Sequence, residues 1–167
     1  MLQGKRVVLR EGQPADLDAL EAFFAHPEVA RWWPMDGREE IVADVLQRSD
    51  PAVTVYVIDV DGEVAGIIQS CEESDEDYRS AGIDVSLAPS WHGTGVAVDA
   101  MRTLAQHLFG QGHHRLTIDP AAHNARAIAA YAKVGFRRVG VMRQYERGVD
   151  GTWHDGLLMD LLADDLR

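Results

Sequence analysis

Two glycines one residue apart, Gly93 and Gly95, stand where a strand-like run gives way to a helical one. Ala81 to Leu87 alternates like a strand, and Val98 to Phe109 repeats its apolar residues at helical spacing. A Gly-Thr-Gly turn between them lets a ligand come close to the backbone with no Cβ in the way. Thr94, Gly95, Val96 and Ala97 then present N–H groups that have no carbonyl partner within the helix, at the positive end of its dipole. The oxygens of a diphosphate fit such a cradle.

Other phosphate loops lack matching residues here. A dinucleotide fingerprint needs a third glycine three residues after the second, and that place is Val98. A triphosphate loop ends in Gly-Lys-Ser/Thr, which this loop lacks. His92-Gly93-Thr94-Gly95-Val96-Ala97 resembles the acetyl-CoA loop of the GCN5-related N-acetyltransferases, Gln/Arg-x-x-Gly-x-Gly/Ala, with His92 as the departure. On this motif alone the competing reading is a glycine turn that merely starts a helix. Further on, the family carries Asn-x-x-Ala-x-x-x-Tyr-x-x-x-Gly-Phe, and the chain reads Asn124-Ala-Arg-Ala127-Ile-Ala-Ala-Tyr131-Ala-Lys-Val-Gly135-Phe136. Trp32-Trp33, Gln69-Ser70, Gly82-Ile83-Asp84 and Asp119-Pro120 extend the likeness to one branch, the aminoglycoside 6′-N-acetyltransferases; the last two strands diverge.

The resemblance implies a chemistry for particular residues. Acetyl transfer to an amine needs a neutral amine, a polarised thioester carbonyl and a proton for the departing thiolate. Tyr131, with a hydroxyl pKa of roughly 10, keeps its proton at neutral pH, and the resemblance makes it the proton donor. On spacing alone the favoured reading is a helix tyrosine with a packed ring and a wet tip. The implied cofactor is acetyl-CoA, with CoA as product. It would lie along Val85, Ser86 and Leu87, on the loop His92, Gly93, Thr94, Gly95, Val96 and Ala97, and against Asn124, Ala127 and Tyr131. An N–H near residue 85 would polarise the thioester oxygen. Asn124 can cap its helix and face the cofactor at once, its amide having capacity for both.

Asp84 and Asp119 stand at or just beyond strand ends and are expected to attract the acceptor ammonium and take its proton, directly or through a water. Each could instead bond to nearby backbone, as strand-end aspartates do. Trp33 is placed against a sugar ring, with a core tryptophan as the alternative. Two adjacent tryptophans in an extended stretch cannot both point inward, so one should face a cleft. Glu73, in the acidic run Glu72, Glu73, Asp75, Glu76 and Asp77, is a candidate for drawing in a polyamine; the default for such a run is a solvated loop.

The elements that must hold these residues follow from pattern. Lys5 to Arg10 reads as a strand, and Pro14 opens a helix with Leu17, Leu20, Phe23 and Phe24 on one face, stopped at Pro27. Gly37 precedes a second helix carrying Ile41, Val45 and Leu46. Val53 to Val60 and Glu63 to Ser70 pair across Asp61-Gly62, and Cys71 to Ser80 reads as a hairpin tip. Gly110 and Gly112 end the central helix, Arg115 to Ile118 is a strand, and Asn124 caps the helix Ala125 to Val134. Phe136 to Tyr145 and Thr152 to Leu162 close the chain as a hairpin around Val149-Asp150-Gly151. The pattern β-α-α-β-β-β-α-β-α-β-β, with the resemblance, implies an α/β (α+β) acetyltransferase fold in one domain over 1–167. Its sheet would be mixed, largely antiparallel, of about seven strands, splayed at the cofactor and flanked by about four helices.

Composition narrows the partners. Sixteen Lys+Arg against 27 Asp+Glu leave a net charge of −11, which argues against a nucleic-acid backbone and suits a cationic small molecule. No apolar run is long enough to span a bilayer, and Met1 to Arg10 lacks a signal-peptide core. The single Cys71 forms no internal disulfide and suits the cytoplasm; with no His/Asn constellation in view it reads as an inert thiol. The seven histidines lack metal-ligand spacing, so no metal is expected. The expected assembly is a monomer or homodimer. The reading is an acetyl-CoA-dependent N-acetyltransferase of a small polycationic amine, the 6′-amine of an aminoglycoside, whose loss of charge would weaken its hold on ribosomal RNA. The rivals are acetylation of a protein N-terminus or other metabolite amine on the same fold, and a non-catalytic acyl-CoA-binding module.

Overall fold

Adjacent residues of the central strands are buried on opposite sides, and this organises the architecture. Val57 and Ile67 pack with Leu20, Phe23, Phe24, Ile41 and Val45, whereas Ile58 and Ile68 pack with Met101, Leu104, Leu108 and Leu116. A sheet buried on both faces needs helices on both, and the chain supplies them. The computed structural model describes residues 1–48 and 50–167.

On one face lie α1 (Leu17–Ala25), α2 (Pro27–Ala30) and α3 (Arg38–Ile41), the last widening into a π-helical turn, Val42–Leu46. Pro27 ends the first run and also starts the next turn, because a first-turn proline has no N–H to leave unpaired. On the other face lie α4 (Val96–Gly110) and α5 (Ala125–Val134). Between them run β1 (Leu2–Gln3), β2 (Val8–Arg10), β3 (Val53–Val60), β4 (Glu63–Glu73), β5 (Ser80–Leu87), β6 (Arg115–Ile118), β7 (Arg137–Arg147) and β8 (Trp153–Leu161). Their order is β1-β2-β3-β4-β5-β6-β8-β7, and every pairing is antiparallel except β5 with β6. The sheet has eight strands rather than seven because the two-residue β1 is too short to show a period. β4 runs to Glu73, so the hairpin tip is shorter than the polar stretch from Cys71 implies.

β2 is also shorter than the strand expected over Lys5 to Arg10, for a visible reason. The N–H groups of Lys5, Arg6 and Val7 donate to the carboxylate of Asp99, at 3.2, 2.7 and 3.2 Å, rather than to a neighbouring strand. Asp99 lies in the first turn of α4, where the helix dipole favours an anion, and it is buried. It ties residues 5–7 to the start of α4.

β5 and β6 part company. β5 pairs with β4 along its whole length, from Ser80↔Glu73 to Leu87↔Gly66, but with β6 only at Ser80, Ala81 and Gly82. Beyond Ile118 the chain follows β8 instead. Leu157 N–H donates to the Pro120 carbonyl and Ala122 N–H to Asp155, each at 2.8 Å, and Ala121 bridges Gly156. Pro120 has no N–H to offer in return. The sheet therefore splays from Ile83 onward, as expected of this fold.

Replacing Asp99 by Ala leaves three backbone donors without their acceptor. Urea titration should show a loss of about 2–4 kcal/mol, and an unchanged midpoint would show that residues 5–7 are held by other contacts.

Candidate active site

The splay opens into a cavity of about 1010 Å³ that reaches the start of α4. Gly93, Gly95, Ala97 and Val98 line one part of it. Gly93 and Gly95 have φ of 76° and 90°, and the nearest protein atom to a Cβ built on Gly95 is Arg6 Nη1 at 3.8 Å. Crowding within the protein is thus not what excludes other residues; the left-handed backbone is, at about 1–2 kcal/mol each. Among the described residues the N–H groups of Gly93, Gly95, Ala97 and Val98 have no acceptor. Val96 N–H turns to Thr94 Oγ1 at 3.4 Å, and the Val96 side chain is in the core. Thr94 points its hydroxyl at the Trp91 carbonyl and its own carbonyl accepts from Arg6; neither Thr94 nor Val96 lines the cavity.

His92, the departure from the loop pattern, has a structural task. Its Nε2 donates to the Leu87 carbonyl at 3.1 Å, fastening the loop to the end of β5. Burial, then the Arg126 charge, lower its pKa, which favours the neutral ring at physiological pH. Cations not singled out from the sequence, Lys5, Arg6, Arg102, Arg126, Lys133 and Arg167, also line the cavity. Arg102 Nε is buried with no hydrogen-bond partner among the described residues. The other end of that guanidinium, Nη2, donates to the Lys133 carbonyl at 3.1 Å; unpaired amides, the unpaired Nε and open backbone together fit a cofactor rich in phosphate. Nothing in the spacing of those cations marks them, because they come from the N-terminal turn, two helices and the last residue.

The other group of lining residues gathers where β5 and β6 diverge. Asp84 comes from β5, Asp119 follows β6, Tyr131 is on α5, and Val85, Ser86 and Leu87 continue the free edge of β5. Asn124 accepts from Ala127 N–H at 3.1 Å as the cap of α5, and both residues face the cavity. Asp84 is directly opposite Gln69 on β4, whose amide donates to Asp84 Oδ2 at 3.0 Å. Burial, helped by the Asp119 charge, raises the Asp84 pKa, while the Gln69 bond opposes the rise. Burial and the same two carboxylates push the Tyr131 hydroxyl far above its ordinary range, so it is a proton holder at any physiological pH.

Both tryptophans line the cavity. Trp33 also packs on the apolar cluster beneath α1, whereas Trp32 is 38% exposed between the Arg31 guanidinium, 4.8 Å from its ring, and His123, 5.4 Å away. Glu73 does not join the site. It stands at the far end of β4, opposite Ser80, and accepts from Asp75 N–H at 2.9 Å, which corrects its assignment to the acceptor. Tyr145, on β7, was not visible as a site residue; it lines the cavity and donates to Asp119. That bond and burial push its pKa up to about 12.

Residues 13–144 match the acetyltransferase (GNAT) domain family. The chain is 31% identical over 155 residues to aminoglycoside N(6')-acetyltransferase type 1 of Klebsiella pneumoniae, covering 81% of this chain and 76% of that one. It is 24% identical over 104 residues to the [ribosomal protein uS5]-alanine N-acetyltransferase of Escherichia coli (strain K12), covering 62% and 53%. The crystal structure of aminoglycoside acetyltransferase AAC(6')-Ib with coenzyme A and kanamycin superposes with a TM-score of 0.77 at 27% identity, over 95% of this chain and 96% of that one.

The buried Asp84 carboxyl makes stability depend on pH. A carboxyl whose folded pKa is raised stabilises the fold below its unfolded value, near 3.8, and loses that contribution as pH rises through the folded pKa. Asp84→Asn should therefore raise Tm at pH 7, with the gain vanishing toward pH 4, while turnover falls about a hundredfold. A lower Tm at pH 7 with intact turnover would refute both assignments.

Proposed function

The chain belongs to the GCN5-related N-acetyltransferase family and uses acetyl-CoA as its acyl donor; from that premise we propose that it acetylates the 6′-amine of an aminoglycoside. The observation that carries this reading is the pair of carboxylates, Asp84 and Asp119, in the splay beside Tyr131 and the Trp32-Trp33 wall. Two negative groups bordered by aromatic faces suit a polycationic sugar better than a single terminal amine. The 31% identity to an aminoglycoside N(6')-acetyltransferase over 81% of the chain supports the same choice.

In this reading the free edge of β5 would hold acetyl-CoA, which would supply an activated thioester. The amides of Gly93, Gly95, Ala97 and Val98, with the cavity cations, would hold its phosphates. Asp84 and Asp119 draw the acceptor ammonium in, and Asp84, whose burial raises its pKa, takes its proton. Tyr131 keeps a proton on its hydroxyl for the departing sulfur. The whole of 1–167 works as one acetyltransferase domain, in the cytoplasm. No helix among the described residues is long and apolar enough to cross a membrane, and Cys71 is a free thiol.

The identity to a ribosomal-protein alanine N-acetyltransferase favours one rival, acetylation of a protein N-terminus. Steady-state rates with kanamycin and with a short Ala-started peptide separate the two; turnover confined to the peptide overturns the aminoglycoside reading. With the better acceptor, Tyr131→Phe should lower kcat about a hundredfold or more while acetyl-CoA affinity, measured by calorimetry, stays unchanged. An equal loss in both would remove Tyr131 from the proton role.

A further inference from the structure

One side chain of the acceptor region is aimed by an arrangement too particular to be packing alone. Met142 pairs with Gly156 and Glu146 with His154, so residues 143–145 of β7 stand against Asp155 alone. Such a bulge re-aims side chains, and this one holds Gln144 at φ 51°, left-handed for a residue that is not glycine. The Gln144 N–H donates to Asp155 Oδ1 at 2.8 Å, which keeps the strained turn in place. The next residue, Tyr145, lies against Gly156. A Cβ there would come within 2.8 Å of Tyr145 Cδ1, so the ring needs the missing side chain. From this seat the ring reaches the cavity and its hydroxyl donates to Asp119 Oδ2.

Asp84 is held in the same manner. One oxygen of each carboxylate is pinned by a neutral donor, Oδ2 of Asp84 by Gln69 and Oδ2 of Asp119 by Tyr145. The other oxygen of each has no partner among the described residues. A lysine or arginine in either place would have cancelled the charge; an amide and a phenol orient it and leave it available.

We propose that Tyr145 is a specificity-determining positioning residue, whose hydroxyl orients Asp119 so that Asp84 and Asp119 together grip an acceptor carrying more than one amine. The proposal rests on the reading that these two carboxylates receive the acceptor. Tyr145 acts through Asp119 and takes no part in the acetyl transfer itself.

Steady-state kinetics with kanamycin, and with an Ala-started peptide should the wild type prefer it, test this on Tyr145→Phe, Asp119→Asn and the double variant. Tyr145→Phe should raise the acceptor KM about tenfold with little change in kcat or in acetyl-CoA affinity, and should add nothing in the Asp119→Asn background. Asp155→Ala, which releases Gln144 and loosens the bulge while leaving the hydroxyl in place, should raise the same KM and guards against Tyr145→Phe failing to fold. If Asp119→Asn raises the acceptor KM and Tyr145→Phe does not, or if the two losses simply add, the role of Tyr145 is overturned and the acceptor reading stands. If Asp119→Asn leaves the acceptor KM unchanged, the acceptor reading falls, and the Tyr145 proposal with it.

Discussion

Everything at the site depends on two neighbouring parallel strands ceasing to pair after three residues. β5 and β6 share a register only from Ser80 to Gly82, and from there the chain after β6 bonds to β8. That divergence frees one edge of β5 at Asp84 to Leu87. It also leaves Asp119 facing the gap rather than in a ladder, and lets Tyr131 look into it from α5. A continuous β5–β6 ladder would bury the same residues in an unbroken sheet, with no room for a pantetheine-sized arm. The cradle at Gly93 and Gly95 lies just past the end of the same strand, so one strand leads into both halves of the site.

Charge is distributed against the average. The chain carries −11 overall, yet six cations border the cavity beside the unpaired amides of the α4 start. Five carboxylates line the same cavity: Asp84 and Asp119 lie in the splay, each oriented by a neutral donor, whereas Asp99 stands in the first turn of α4 and Glu28 faces Arg126. Groups suited to phosphate and groups suited to an ammonium thus occupy different parts of one cavity. Net charge bears on which acceptor approaches, but it hides the locally positive wall.

What was readable in the sequence was local. The Gly-x-Gly turn, the Asn124 cap and the Asp61-Gly62 hairpin each announce themselves within a few residues, and each has the expected form. Asp119 lies just beyond the end of β6 as expected, whereas Asp84 stands in the middle of β5, past the point where pairing with β6 stops; both line the cavity. What was missed depends on tertiary pairing. Nothing in the helical run Val98 to Phe109 marks Asp99, yet it captures three N–H groups 92–94 residues away and shortens β2. Tyr145 reads as an ordinary strand tyrosine until the bulge beside it is seen, and a bulge is a fact about two strands. Glu73 failed for the opposite reason: its run is acidic, but β4 carries it four residues past Gln69, away from the Asp84 that borders the gap. The tryptophan pair was half legible, since both rings reach the cavity and only one also serves the core.

Pro120 has a kinetic consequence. Because its ring nitrogen carries no hydrogen, the chain beyond β6 has lost a donor with which to re-form the ladder to β5, whatever else is bound. The gap is a property of the covalent chain rather than of a loop that must be pushed aside. Entry of a long flexible arm then breaks no β5–β6 ladder bond and orders little protein, so most of the entropy lost on association is the arm's own. Loading a carrier therefore waits on no opening of the β5–β6 ladder beyond Gly82.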